Sequence, residues 1–366
     1  MATNDTIDLS AFAGKIAVAM SGGVDSSVAA VRLLDAGLSI VGVTLRLFDD
    51  DASAIDSAQA VCSHLYIPHM TLDFRARFAD TVISTFINEY RNGRTPNPCA
   101  VCNRKMKCRA LIDIIRSGGG VGLATGHYAR IETQPETGRK TLVRAIDLTK
   151  DQTYFLSMVS NNDFSFLQFP MGDMTKRDAR RLAAERGLPS FDRPESNDVC
   201  FIPLGGLGDF LRQNIPSFST PGPIRDVSGN VVGTHQGLAG YTIGQRRGIR
   251  VAAPEPYYVI GIDIAENALI VGADSDLTRK CLIARDPNWL SVEPPAFPLT
   301  CAARIRYRSP EAACVVRLLD DGQLAVDFNE SQRAVTPGQL VAFYDRVGGD
   351  VCLGGAWIDA VPNETV

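Results

Sequence analysis

Residues 15–27 read Lys15-Ile16-Ala17-Val18-Ala19-Met20-Ser21-Gly22-Gly23-Val24-Asp25-Ser26-Ser27, a short apolar run that meets a glycine turn and then a helical pattern stopping near Gly37. This order is strand, loop, helix. Glycines let a backbone turn sharply and approach a ligand closely, while the unpaired N–H groups and dipole of a first helical turn favour an anion. The hydroxyls of Ser21, Ser26 and Ser27 add donors. An ordinary turn with a serine cap competes with the phosphate-loop reading, but the strand context and the whole SGGVDSS string outweigh it. No lysine follows the second glycine region, so the loop is not a Walker loop.

Working outward, apolar runs at 38–47, 68–73 and 121–126 alternate with helical patterns near 52–66, 76–91 and 103–117. Strands separated by helices of this length predict an α/β fold with a doubly wound parallel sheet. Residues 129–146 read as a hairpin around Pro135–Gly138. After about residue 205 the texture changes to short Val, Ile and Tyr runs broken by turn signals such as DVSGN and LDDGQ. The expected organisation is a nucleotide-binding domain over 1–205, a small mixed and mostly β domain over 206–280, and a β-barrel-like domain over 281–366.

Length supports this division, because 366 residues at roughly 150 per domain give two or three domains. With 45% hydrophobic and 21% charged residues, the composition excludes collagen, coiled coil and bulk disorder. A net charge of −4 means that any polyanion must be met by local basic patches. No run approaches the roughly 20 apolar residues of a membrane span, and the first dozen residues lack the basic charge of a signal peptide. The nine cysteines are odd in number and scattered, which predicts a reducing cytoplasm and thiols that are catalytic or metal-binding where they cluster.

One such cluster stands out. Between Tyr90 and Ile112 lie six Lys or Arg (91, 94, 104, 105, 107, 109) and no acid, around Asn97-Pro98-Cys99-Ala100-Val101-Cys102. The patch suits a phosphate backbone, although a solvated helix face competes. A cysteine at a helix N-terminus beside cations has its thiolate favoured, which makes Cys99 and Cys102 candidate nucleophiles near neutral pH. Cys200, in the polar and Pro-bounded stretch 195–203, is a third functional candidate. Cys62, Cys281, Cys301, Cys314 and Cys352 read as core filler.

Taken in order, SGGVDSS, GRTPNPxxxCN, ATGHYAR, KDQTYFL, SNDVCFIP, TIGQRRG and ARIRYR resemble the bacterial tRNA-specific 2-thiouridylase family, within the PP-loop adenine-nucleotide α-hydrolases. The resemblance implies ATP with magnesium as cofactor, bound by Ala19, Met20, Ser21, Gly22, Gly23, Val24, Asp25, Ser26, Leu45 and Gly126, with Asp25 handling pyrophosphate or its metal. It implies transfer of AMP to the C2 oxygen of the wobble uridine in tRNAs for Lys, Glu and Gln, then replacement of that oxygen by sulfur. Cys200 resembles the residue that carries the persulfide, and Cys102 the thiol that attacks it and leaves a Cys102–Cys200 disulfide. The sulfur would come from a relay donor protein or a cysteine desulfurase. For the tRNA anticodon region the resemblance implies Asn97, Pro98 and Cys99 at the base, and Lys150, Asp151, Gln152, Arg306 and Tyr307 as further contacts.

Read from the residues, Arg304, Arg306 and Arg308 alternate along an expected strand, which would aim three guanidiniums at one face. Arginines guarding a sheet edge compete with that reading. The chain departs from the family at Cys99, where many members carry an acid after Pro-Asn-Pro. Cys99, Cys102 and Cys200 are therefore also candidate ligands of an iron–sulfur cluster with one open iron, and a zinc site completed by Cys108 is a lesser alternative. Another PP-loop ligase would need neither the thiols nor the arginines, and a non-catalytic tRNA-binding module would need no PP-loop.

Overall fold

The computed structural model describes residues 9–49, 52–135, 137–192, 199–202, 206–252, 254–290 and 294–362. Part of the SNDVCFIP motif, Ser196 to Asp198 and Pro203, and the polar Glu195 lie outside these residues. The strands are β1 Ile16–Ala19, β2 Ile40–Arg46, β3 His69–Asp73, β4 Gly122–Thr125, β5 Ala129–Thr133, β6 Lys140–Arg144, β7 Leu167–Gln168, β8 Gly222–Arg225, β9 Val231–His235, β10 Tyr258–Asp263, β11 Ala268–Gly272, β12 Thr278–Trp289, β13 Leu299–Arg304, β14 Ala312–Leu318, β15 Leu324–Arg333, β16 Leu340–Tyr344 and β17 Val351–Ala360.

The expected α/β fold is present. β3, β2, β1, β4 and β7 form a parallel five-stranded sheet in that order, with Ala19 opposite both Val43 and Thr125. The chain leaves β1 toward β2 on one side and returns to β4 on the other, so the strand order reverses between β1 and β4. Open α/β sheets bind ligands beyond the carboxyl ends of the strands at such a reversal. Residues 21–23 follow β1 and residues 126–128 follow β4, which brings both loops to that crevice. The strands hold Ala17, Val18, Leu123 and Ala124 with no exposed surface, as a sheet covered on both faces requires.

The second unit is a four-stranded sheet in the order β10-β11-β8-β9, and the third is a six-stranded barrel, β12-β15-β14-β13-β16-β17, closed by pairing of β12 with β17. The hairpin expected at 129–146 exists as β5 and β6, but it does not stay with the parallel sheet. Leu142 and Val143 of β6 pair with Cys352 and Val351 of β17, which gives the apolar edge of β6 a partner in the barrel sheet. The loop before Cys99 is clamped to the barrel as well. Thr95 donates from its N–H to Pro337 O at 2.9 Å, and Gln339 donates to the carbonyls of Thr95 and Pro96 at 3.0 Å each.

The arginine strand reading is corrected here. β13 ends at Arg304, and residues 305–309 bend away, so period two does not carry Arg306 and Arg308 onto one strand face. Arg304 is largely buried, paired with Glu311 at 2.5 Å and lying over the Tyr344 ring. Arg306 donates to Ala334 O and to Thr336 Oγ1 and anchors the β15–β16 connection. Only Arg308 is exposed. Pro310 and the pairing of Arg304 with Glu311 go with a strand that ends four residues earlier than the alternation suggests.

Candidate functional site

The loop after β1 is self-organised. Gly22 has φ +71°, a left-handed conformation that glycine adopts without cost. Ser26 Oγ accepts from Ser21 N at 3.2 Å and donates to Gly23 O at 3.1 Å, and Ser27 Oγ donates to Gly23 O at 2.9 Å. Met20 and Val24 are buried, so they offer a ligand only backbone, while Ala19 at the end of β1 and Leu45 near the end of β2 are half-buried at the crevice. The helix Val24–Asp35 starts here without a side-chain cap, leaving first-turn N–H groups for an anion. These residues fit the phosphates of a nucleotide.

Asp25 sits inside this first turn, where Tyr128 donates from its hydroxyl to Asp25 Oδ1 at 2.9 Å and Lys176 donates to both carboxylate oxygens at 2.7 and 2.9 Å. The lysine that the loop lacks in sequence thus arrives from the start of the helix Lys176–Glu185. Nothing in the spacing of residues 20–27 signals it. Gly126 was expected to admit the nucleotide. The phosphate loop packs closely on it, since a Cβ there would lie 2.7 Å from Ser26 N and 2.8 Å from the Asp25 carbonyl carbon.

The turn 125–128 links this loop to the thiols. His127 bonds Thr125 Oγ1 at 2.8 Å and faces the Lys107 ammonium, and burial first, then that ammonium, pushes its imidazole down to about 3, so it is neutral. Lys107 in turn interacts with Cys99, Cys102, Cys200 and Cys108, and Cys102 with Cys200 and Cys99. Cys200 therefore lies near enough to Cys99, Cys102 and Lys107 to interact with them electrostatically, although about a hundred residues separate it from them in sequence. Asn97 caps the helix Pro98–Cys102 by accepting from Ala100 N at 3.2 Å, with Pro98 at its first position. Cys200 is held by its neighbour Phe201, whose ring packs edge-on against Phe78 at 5.7 Å and Phe86 at 5.3 Å.

The expectation of thiolates near neutral pH is not met. Burial outweighs Lys107 and pushes Cys102 up to about 11, and it raises Cys99 and Cys200 too, even though both touch solvent in the cleft. The remaining basic side chains turn elsewhere: Arg104, Lys105 and Arg109 line a separate cleft of about 460 Å³ with Arg77, Thr81, Ser160 and Asp163. The cluster reading also finds no support in the donor set. Among the described residues no three His, Cys, Asp or Glu side chains gather closely enough to hold a metal ion, and the cation among the thiols is a lysine.

The expected tRNA contacts divide. Asn97 and Pro98 are buried, leaving Cys99 as the accessible member of that trio. Asp151 is corrected: at 2% exposure it accepts from Ala145 N, Thr153 N and Thr153 Oγ1, so its carboxylate serves the fold. Gln152 likewise accepts from Tyr128 N at 2.9 Å. Lys150 and Arg308 interact with the half-buried Tyr307, which packs on Phe155 at 4.6 Å, so the KDQTYFL and ARIRYR motifs converge on one surface. Among the described residues no helix is long and apolar enough to cross a membrane.

A serine-glycine loop at the reversal point of a parallel sheet defines an ATP-utilising PP-loop protein. Family models match along the chain, described as a tRNA methyl transferase HUP domain over residues 14–204, a PRC-barrel domain over 208–273 and an aminomethyltransferase β-barrel domain over 279–358. The tRNA-specific 2-thiouridylase MnmA of Chloroflexus aurantiacus is 46% identical over 354 residues, covering 94% of this chain and 98% of its own. That of Symbiobacterium thermophilum is 40% identical, covering 96% and 93%. The U34-tRNA thiolase NcsA from Methanococcus maripaludis with its [4Fe-4S] cluster aligns with 56% of this chain and 68% of its own at TM-score 0.34 and 17% identity, a likeness that carries no argument. The chain belongs to the tRNA-specific 2-thiouridylases and is a tRNA-uridine sulfurtransferase.

Proposed function

We propose that the protein makes 2-thiouridine at the wobble position of tRNA by adenylation followed by sulfur transfer through Cys200 and Cys102. The C2 carbonyl of uridine is a poor electrophile with an oxide leaving group. AMP transfer from ATP forms an O2–phosphorus bond, expels pyrophosphate and turns that oxygen into a phosphate leaving group. Cys200 receives a sulfur from a donor as a persulfide. The Cys102 thiolate attacks the Cys200 sulfur, the S–S bond breaks, and hydrosulfide departs with the electron pair to attack C2 as AMP leaves. A Cys102–Cys200 disulfide remains, and a two-electron dithiol reductant reopens it.

The observation that carries this reading is the turn 125–128, where Gly126 packs on the phosphate loop, Tyr128 bonds Asp25 and His127 faces the cation of the thiol cluster. Asp25 is the candidate to hold magnesium, and the Ser21–Ser27 loop the pyrophosphate. The basic cleft of Arg77, Arg104, Lys105 and Arg109 and the surface of Lys150, Tyr307 and Arg308 supply cations and an aromatic face for the RNA backbone. The test incubates purified protein with ATP, unmodified tRNA, a dithiol and a persulfide-loaded desulfurase, and follows pyrophosphate and 2-thiouridine by mass spectrometry. Cys200→Ser and Cys102→Ser are expected to release pyrophosphate without forming 2-thiouridine. Normal thiolation by either variant overturns the persulfide route.

A further inference from the structure

Arg144 is the last residue of β6, Arg304 the last of β13 and Tyr344 the last of β16, and all three strands lie in one sheet although β6 comes from the nucleotide-binding part of the chain. Their side chains gather around Glu311. Arg304 donates to Glu311 Oε1 at 2.5 Å, and Arg144 forms an ion pair with the same oxygen at 2.7 Å. Both guanidiniums lie over the Tyr344 ring, 4.2 Å from its centre for Arg144 and 5.7 Å for Arg304. The Tyr344 hydroxyl bonds Thr153 Oγ1 at 3.1 Å, Thr153 donates to Asp151 at 2.7 Å, and Asp151 stands 3.9 Å from Arg304. Water barely reaches this cluster: the side chains of Arg144, Arg304 and Glu311 are 6%, 14% and 10% exposed.

Two surface segments leave from these strand ends. From Arg144 the chain runs into residues 145–152, which carry Lys150, and from Arg304 it runs into residues 305–310, which carry Tyr307 and Arg308, before Glu311 and the start of β14 at Ala312. Arg304 and Glu311 therefore form a clasp across the base of 305–310. Arg144 ties the same carboxylate to the base of 145–152, where Ala145 N–H donates to Asp151 at 3.2 Å. Beyond the clasp, Arg306 N–H donates to Ser309 Oγ at 3.1 Å, and Tyr307 packs on Phe155 at 4.6 Å. Apolar residues of similar volume would make a more stable junction, because desolvating two cations and an anion offsets most of their attraction, and Nε of each arginine lacks a hydrogen-bond partner among the described residues. What the ion trio supplies is direction, since a carboxylate shared by two planar guanidiniums fixes where both strand ends point.

We propose that Glu311 is a positioning residue for tRNA recognition, which through Arg144 and Arg304 holds residues 145–152 and 305–310 in one fixed relation, so that Lys150, Tyr307 and Arg308 meet the RNA together. The role in recognition rests on the reading of that surface as a tRNA contact, but the clasp is a property of the protein without tRNA. Its loss weakens tRNA binding and leaves the chemical step intact.

The experiment compares the native chain with Glu311→Gln and Glu311→Asp in thiolation kinetics with tRNA and then ATP varied, in tRNA binding by filter retention, and in backbone hydrogen exchange by mass spectrometry without tRNA. Glu311→Gln is expected to raise the KM and Kd for tRNA by about tenfold, the weight of one stacked base, with kcat within about twofold and the KM for ATP unmoved. A loss of folded protein alone would lower kcat and leave the KM for tRNA in place. Glu311→Asp keeps the charge and is expected to stay within about threefold of the native chain. Amides of 145–152 and 305–310 are expected to exchange about tenfold faster in Glu311→Gln. Native KM and Kd for tRNA in Glu311→Gln overturn the proposal, as does unmoved exchange in both segments. Should Glu311→Gln fail to fold, Arg144→Gln leaves the Arg304–Glu311 pair in place and is expected to speed exchange over 145–152 while 305–310 keeps its native rate. Native exchange in both segments of that variant overturns the proposal. A native chain that binds no tRNA sinks the tRNA reading of this surface and the recognition role with it, whereas native tRNA binding with unmoved exchange sinks the clasp alone.

Discussion

Lys176 reaches across the chain to Asp25, 151 residues earlier, and grips both carboxylate oxygens at 2.7 and 2.9 Å. The pair sets a cation beside a loop built for anions, and it fixes Asp25 with the help of the Tyr128 hydroxyl. A triphosphate arriving at the loop meets an acid whose charge is already balanced.

Lys176→Met leaves that acid unbalanced against the phosphates. Charge-assisted hydrogen bonds contribute about 1.5–3 kcal/mol, so ATP-dependent AMP formation is expected to fall by roughly 10–150-fold. The measurement is AMP release at saturating tRNA with ATP varied, beside a thermal melt. An unchanged rate in a folded variant removes Lys176 from the site.

Gly126→Ala tests why that glycine stands at the end of β4. The new methyl would sit 2.7 Å from Ser26 N and 2.8 Å from the Asp25 carbonyl carbon, both backbone atoms of the first helical turn. Neither can swing away as a long side chain does, so the loop must shift. Overpacking of this kind costs about 1–3 kcal/mol. A melting point lower by several degrees and a raised KM for ATP are expected, whereas a variant with native melting and native ATP dependence contradicts the packing.

Asp359→Asn probes the contact between barrel and nucleotide-binding unit. Asp359 accepts from Arg94, in the loop before the thiols, and from Arg285 at 3.1 Å. Burial raises its pKa, but the Arg94 hydrogen bond and the two nearby guanidiniums overcome this and leave it lowered. A depressed carboxylate stabilises the fold above its unfolded pKa and loses that contribution as pH falls through the folded one. The variant is expected to lose about 1–3 kcal/mol near neutral pH, with the gap to the native chain closing in acid. Denaturant titrations at pH 7 and pH 4 check this, and a constant gap sinks it.

Local signals carried the fold and half of the site. The β1 loop was legible because strand, glycines and serines lie within a dozen residues, and the alternation of apolar runs with helices sufficed for a parallel sheet. Cys99 and Cys102 were legible beside their cations, but which cation faces them was not, because that depends on π rather than α hydrogen bonding through Asn103–Ala110. Lys176 was invisible because its partner lies 151 residues away. The arginine alternation misled because Arg304 is drawn inward by Glu311 and the strand stops there, a tertiary demand that period two cannot express. The hairpin β5–β6 was recognisable from its turn, but its partner strand β17 lies some 200 residues further on in the chain.

His127 makes the acid limb of stability a readout of the bridge between the two halves of the site. Burial, with the Lys107 charge behind it, holds the imidazole at about 3, far below its ordinary range. The sign follows from linkage: the unfolded chain takes up a proton below about pH 6.5 and the folded chain does not until about pH 3. The stability that neutral His127 contributes is therefore complete above pH 6.5 and drains as pH falls, by about 1.4 kcal/mol per unit for this single group. His127→Gln keeps a polar side chain for Thr125 but cannot titrate. It is expected to be less stable than the native chain at pH 7.5 and to lose less on going to pH 5, so that the two curves converge. Urea titrations at half-unit steps between pH 5 and 7.5 give the slopes directly, and parallel curves would show that His127 ionises freely and that the turn does not seal the site from water.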